Sequence, residues 1–121
     1  MPDESLSGPK PVVLVVDDEP LVRMYAAELF EDLGYEVLEA EDGVDALARL
    51  EARDDVSLLF SDCRMPQMGG SDLAAVVSRR WPDIRIVLVS GYAHPNPTQW
   101  PLLDKPFTAR DLDAVMADAR A

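Results

Sequence analysis

Val12-Val-Leu-Val-Val16 is a continuous, mostly β-branched run that ends on two adjacent aspartates, Asp17 and Asp18. Such a run reads as a strand covered on both faces. Two like charges at its end can both stay ionised only where a cation or strong donors lie between them. The pair therefore points to a metal at the mouth of the core. Similar runs end on other isolated polar residues: residues 56–61 lead into Asp62, and residues 84–89 into Ser90. Lys105-Pro106 follows the short run Leu102-Leu103.

Helical patterns separate these runs. Pro20 suits the first turn of a helix, where its missing N–H costs nothing. Leu21, Met24 or Tyr25, Glu28/Leu29 and Leu33 fall near a 3.6 period, and Gly34 supplies a stop. Residues 35–40 form a second short strand. Asp42 caps a helix over 44–50 with Leu47 and Leu50 inward. Pro66, Gly69 and Gly70 lead to a helix around 72–80, striped by Leu73, Val76 and Val77. A last helix, Ala109–Arg120, carries Leu112, Val115, Met116 and Ala119 on one face. Residues 1–11 hold Gly8, Pro9 and Pro11 and read as a flexible tail, leaving 12–121 as one domain.

Alternating strands and helices imply an α/β fold with parallel pairing through right-handed crossovers. In open sheets of this kind the ligand site lies outside the carboxyl ends of the strands. Asp17, Asp18, Asp62, Ser90 and Lys105 all fall at such ends, which gathers scattered residues into one constellation. The net charge of −12 argues against nucleic acid or an anionic membrane as partner, since phosphate contacts need clustered Lys and Arg. No apolar stretch is long enough to span a bilayer. A single cysteine, Cys63, excludes an intramolecular disulfide and fits a reducing cytoplasm. It reads as a small packed thiol and His94 as a surface loop residue.

Val13-Leu-Val-Val-Asp-Asp-Glu-Pro20, Ser61-Asp-Cys-Arg-Met-Pro-Gln-Met-Gly-Gly70, Val89-Ser-Gly-Tyr92 and Lys105-Pro-Phe107 together resemble the response-regulator receiver domain of two-component signalling. The resemblance implies a flavodoxin-like, doubly wound five-stranded parallel sheet in the order 2-1-3-4-5. It implies that Asp62 accepts a phosphoryl group from a histidine kinase or a histidine phosphotransfer protein. Asp18, Asp62 and the backbone carbonyl of Arg64 would bind Mg²⁺, with Asp17 assisting through water. Lys105 would pair with the phosphoryl oxygens, aimed inward by a cis bond before Pro106, and Ser90 would donate a hydrogen bond to the phosphoryl group. The phosphorylated form would then signal to a downstream protein, in the cytoplasm.

The chain also departs from that family. Only residues 91–104 separate Ser90 from Lys105, and Pro95, Pro97 and Pro101 fall among them. Proline bars helix interiors, so the usual fourth helix is expected to be absent and output to run through a 91–101 loop. Leu102 also stands three residues before Lys105, where the family usually has an aromatic residue. The same residues also admit three other readings. They are a receiver-like binding module working without phosphorylation, a small aspartate-nucleophile phosphatase, and a flavodoxin-like electron carrier. The phosphatase class needs an Asp-x-Asp loop after the first strand, and the flavin carrier a phosphate-binding loop that Asp17-Asp18-Glu19 would repel.

Overall fold

The structure is a computed structural model and describes residues 10–65, 67–91 and 100–120, with side chains up to Ala117. Five strands, β1 (Val12–Val16), β2 (Glu36–Ala40), β3 (Val56–Asp62), β4 (Arg85–Ser90) and β5 (Leu102–Asp104), form one sheet in the order β2-β1-β3-β4-β5. Every pairing is parallel. Four helices, α1 (Pro20–Asp32), α2 (Gly43–Ala52), α3 (Gly70–Arg80) and α4 (Ala109–Arg120), cover it. This is the expected doubly wound sheet, and the chain order reverses at β1, where loops leave in opposite directions.

The pleat divides the core. Along β1, Val12, Leu14 and Val16 face a cluster with Leu50, Leu73 and Val77 of α2 and α3. Val13 and Val15 face the opposite cluster with Phe30, Leu112 and Met116 of α1 and α4. Alternate side chains on opposite faces, all apolar, are what a strand buried on both sides requires.

Helix ends follow local chemistry. Asp42 caps α2, accepting from the Asp45 N–H at 2.8 Å. Gly34 takes a φ of +96° just after α1, the left-handed stop that favours glycine. Gly70 opens α3 against the main chain of β3: a Cβ there would overlap the Asp62 carbonyl oxygen and sit 2.9 Å from the Cys63 Cα. The start of α3 is therefore seated directly on Asp62.

Helix α1 corrects one expectation. Its inner face is Ala26, Ala27 and Phe30, whereas Leu21, Met24, Tyr25 and Leu33 are exposed. Both sets satisfy the helical period. The alanines win because small side chains let the helix axis approach the sheet, while Phe30 fills the gap behind them. Among the described residues no helix stands between β4 and β5. The expected loss of a helix there, and the loop assigned to output, rest chiefly on residues 92–99, which lie outside the described residues with Tyr92 and His94. The same holds for residues 1–9 of the expected tail and for the side chain of Ala119.

Candidate functional site

Asp17 follows the last residue of β1, and Asp62 is the last residue of β3, the central neighbour of β1. Adjacent parallel strands bring their carboxyl ends level, so the two acids meet. Asp17, Asp18 and Asp62 each offer a carboxylate oxygen, and these oxygens lie within 4.8 Å of one another. Asp17 and Asp62 are buried, and Asp18 is exposed. The cup is thus closed below and open on the side where Asp18 stands.

Lys105 closes it from β5. Its Nζ lies 3.1 Å from Asp17 Oδ2, 3.3 Å from Asp62 Oδ1 and 3.7 Å from Glu19 Oε1. The Lys105 N–H donates to the Ser90 carbonyl at 2.8 Å, which ties the lysine to the end of β4. Ser90 is itself buried and pairs in register with Asp104. The Lys105–Pro106 peptide bond is cis. Arg64 lies exposed in the loop two residues beyond Asp62.

Three acids around one ammonium leave an excess of negative charge. Burial, then the neighbouring Asp17, push the Asp62 carboxyl above its ordinary range, and Lys105 only partly offsets them. Burial opposes the charge on Lys105, yet its bonds to Asp17 and Asp62 prevail and hold it above the usual lysine value. Beside them the half-buried Cys63 thiol is pushed up to about 11, first by burial and then by Asp62. A thiol so far from ionising is a poor nucleophile.

Hard carboxylate oxygens converging in an electrostatically unbalanced cup fit a hard divalent cation such as Mg²⁺. The donor set contains no sulfur or nitrogen ligand, which disfavours softer metals.

Residues 13–117 match the family model of the response regulator receiver domain. This chain belongs to that family. The response regulator receiver protein CpdR of Brucella abortus is 33% identical, over 83% of this chain and 88% of its own length. The sensor kinase CckA of the same species is 37% identical over 93% of this chain, which spans only 13% of the kinase. The chemotaxis protein CheY4 of Vibrio cholerae superposes with a TM-score of 0.83 at 27% identity, covering 92% of this chain and 99% of that one. Receiver domains of this kind belong to two-component systems. No described helix is long and apolar enough to cross a membrane.

The structure therefore brings Asp17, Asp18, Asp62 and Lys105 together, with Ser90 joined through its main chain. Three residues that hold the site were not foreseen. Glu19, given no part in the site from the sequence, reaches Lys105 at 3.7 Å. Tyr25, read as core, donates from its hydroxyl to the Phe107 carbonyl at 2.8 Å and packs its ring at a tilt against Phe107, 5.5 Å between centroids. Arg23 donates to the Asp17 carbonyl at 2.7 Å and to Glu39 at 3.0 Å. Arg23 and Tyr25 left no sequence signal of these roles, because each donates to a main-chain carbonyl.

Proposed function

We propose that this receiver domain takes a phosphoryl group on Asp62 from a phosphorylated histidine of a partner, a histidine kinase or a histidine phosphotransfer protein, and signals in that form. The observation that carries the reading is the convergence of three carboxylates within 4.8 Å beside an ammonium 3.3 Å from Asp62. In the forward step an Asp62 oxygen attacks phosphorus, an aspartyl O–P bond forms, and the P–N bond to the donor imidazole breaks. The imidazole leaves neutral after taking up a proton at the departing nitrogen. Hydrolysis by water later restores the carboxylate and releases inorganic phosphate.

Asp18, Asp62 and the Arg64 carbonyl would hold Mg²⁺, with Asp17 acting through water. When bound, Mg²⁺ supplies the positive charge that lets an anionic phosphoryl group approach an anionic nucleophile. The protein's own part is mostly positioning and electrostatics. Lys105 can swing from Asp62 to a phosphoryl oxygen while keeping Asp17 as partner. Ser90, at the end of the neighbouring strand, would donate its hydroxyl to the new phosphoryl group and draw its loop inward. The exposed Leu21, together with Val22, Tyr25, Gly91 and Lys105–Phe107, lines a groove of about 610 Å³ beside the cup. Leu21 is 77% exposed and Met24 50%, an apolar rim suited to a protein donor.

The test is incubation with acetyl phosphate and Mg²⁺, followed by intact mass and mapping of the modified residue. One phosphoryl group on Asp62, absent from Asp62→Asn and lost on chelation, is the expected result. Labelling of the Asp62→Asn protein at the wild-type level would overturn the assignment.

A further inference from the structure

The three carboxylates of the cup are not held alike. Asp62 is fixed by the β3–β4 ladder, where it pairs with Val89. The Asp17 side chain accepts from the Glu19 N–H at 2.9 Å and pairs with Lys105. Asp18 is exposed, one residue beyond the buried Asp17, and its direction is set by the peptide that joins the two. A peptide unit is planar, so fixing the Asp17 carbonyl oxygen fixes the plane from which the Asp18 Cα departs.

Arg23 supplies that fixing. From the second turn of α1, its Nη1 donates to the Asp17 carbonyl at 2.7 Å, at the point where β1 has ended. Its Nε donates to Glu39 Oε1 at 3.0 Å, on the neighbouring β2. The Asp17 N–H meanwhile donates to the Ala40 carbonyl at 3.2 Å. The Arg23 side chain is only 20% exposed, and its planar fork spans two acceptors that one ammonium could not hold in the same geometry. Helix, turn and edge strand are thereby locked around one peptide.

We infer that Arg23 is a positioning residue for the acid cup: its grip on the Asp17 carbonyl aims Asp18 so that the carboxylates share one divalent cation. The inference rests on the metal reading above and goes beyond it, because Arg23 touches neither metal nor phosphoryl group. Charge alone predicts the opposite outcome for its removal. Taking a cation away from beside three acids should tighten Mg²⁺ binding, whereas losing the aim should weaken it.

The test is calorimetric Mg²⁺ titration of wild type, Arg23→Gln and Arg23→Lys, with no phosphodonor present and with thermal unfolding run on each. Arg23→Gln should bind Mg²⁺ about tenfold more weakly. Arg23→Lys, the milder variant, should also be weaker than wild type, because the charge returns without the fork. Wild-type or tighter affinity in both folded variants overturns the inference alone. Absence of Mg²⁺ binding by the wild-type chain overturns the metal reading together with it.

Discussion

Replacing Asp62 with asparagine should stabilise the metal-free protein at neutral pH, although it removes a partner of Lys105. Asp62 shares the cup with two carboxylates within 4.8 Å and faces one ammonium at 3.3 Å. At an effective dielectric of about 20, the attraction at 3.3 Å is about 5 kcal/mol, and each repulsion, acting across no more than 4.8 Å, is at least about 3.5 kcal/mol. The repulsions together exceed the attraction by roughly 2 kcal/mol, and burying the carboxylate adds to the penalty. Asp17, 3.1 Å from Lys105 in the wild-type fold, remains available as its partner. A gain on the order of 1–2 kcal/mol is therefore expected, a rise in Tm of roughly 4–8 °C.

The pH dependence gives this prediction a second handle. The Asp62 carboxyl sits above its ordinary range when folded, so the folded state binds that proton more readily than the unfolded chain. Its contribution to stability is fully present below the unfolded value and is lost as pH rises through the folded one. The advantage of Asp62→Asn must therefore be largest at neutral pH and shrink in mild acid. Saturating Mg²⁺ should reverse the order, because the wild type gains binding energy that the variant, short of one anionic ligand, cannot match. Thermal unfolding at both pH values, with and without Mg²⁺, checks every part. A lower Tm for metal-free Asp62→Asn at neutral pH would refute the electrostatic account of the cup.

Gly70→Ala should lower stability by about 1–3 kcal/mol in urea unfolding, since the new Cβ meets the Asp62 carbonyl and something in that tight turn must shift. It should also weaken Mg²⁺ binding, and an unchanged urea midpoint would show that the contact is soft. Cys63, pushed up to about 11 by burial and by Asp62, should react with iodoacetamide more slowly than a free thiol at neutral pH. Labelling at the rate of a free cysteine would contradict that placement.

The sheet was legible because it rests on residues with little choice. The β1 run admits no polar face, and its alternate members fill both core clusters. Acids after two such runs had to meet once the strands paired in parallel, since neighbouring strands in register end at the same level. Helix α1 was not legible in the same way. Leu21, Met24 and Tyr25 carry more hydrophobic surface than Ala26 and Ala27, and periodicity weighs surface rather than closeness of approach. Arg23 and Tyr25 escaped for another reason. Each binds a main-chain carbonyl, of Asp17 and of Phe107 respectively, and a carbonyl carries no residue identity for a sequence pattern to record.

That distinction bears on how a site so rich in negative charge survives inside a stable fold. The acids sit on short stems, anchored through main chain by strand pairing, by Arg23 and by the seating of α3 on Asp62. Short stems leave the buried Asp17 and Asp62 carboxylates little room to move apart while the backbone stays in place. Lys105 is different. Its main chain is tied to the Ser90 carbonyl at 2.8 Å, but its charge rides on a flexible four-carbon stem. Of the three buried or part-buried groups it has the longest reach and can redistribute charge without disturbing the sheet. In the metal-free protein it therefore serves as internal counter-ion, bridging Asp17 and Asp62. On the proposed function, a cation or phosphoryl group entering the cup would meet that ammonium, the group whose stem lets it move with least disturbance of the sheet.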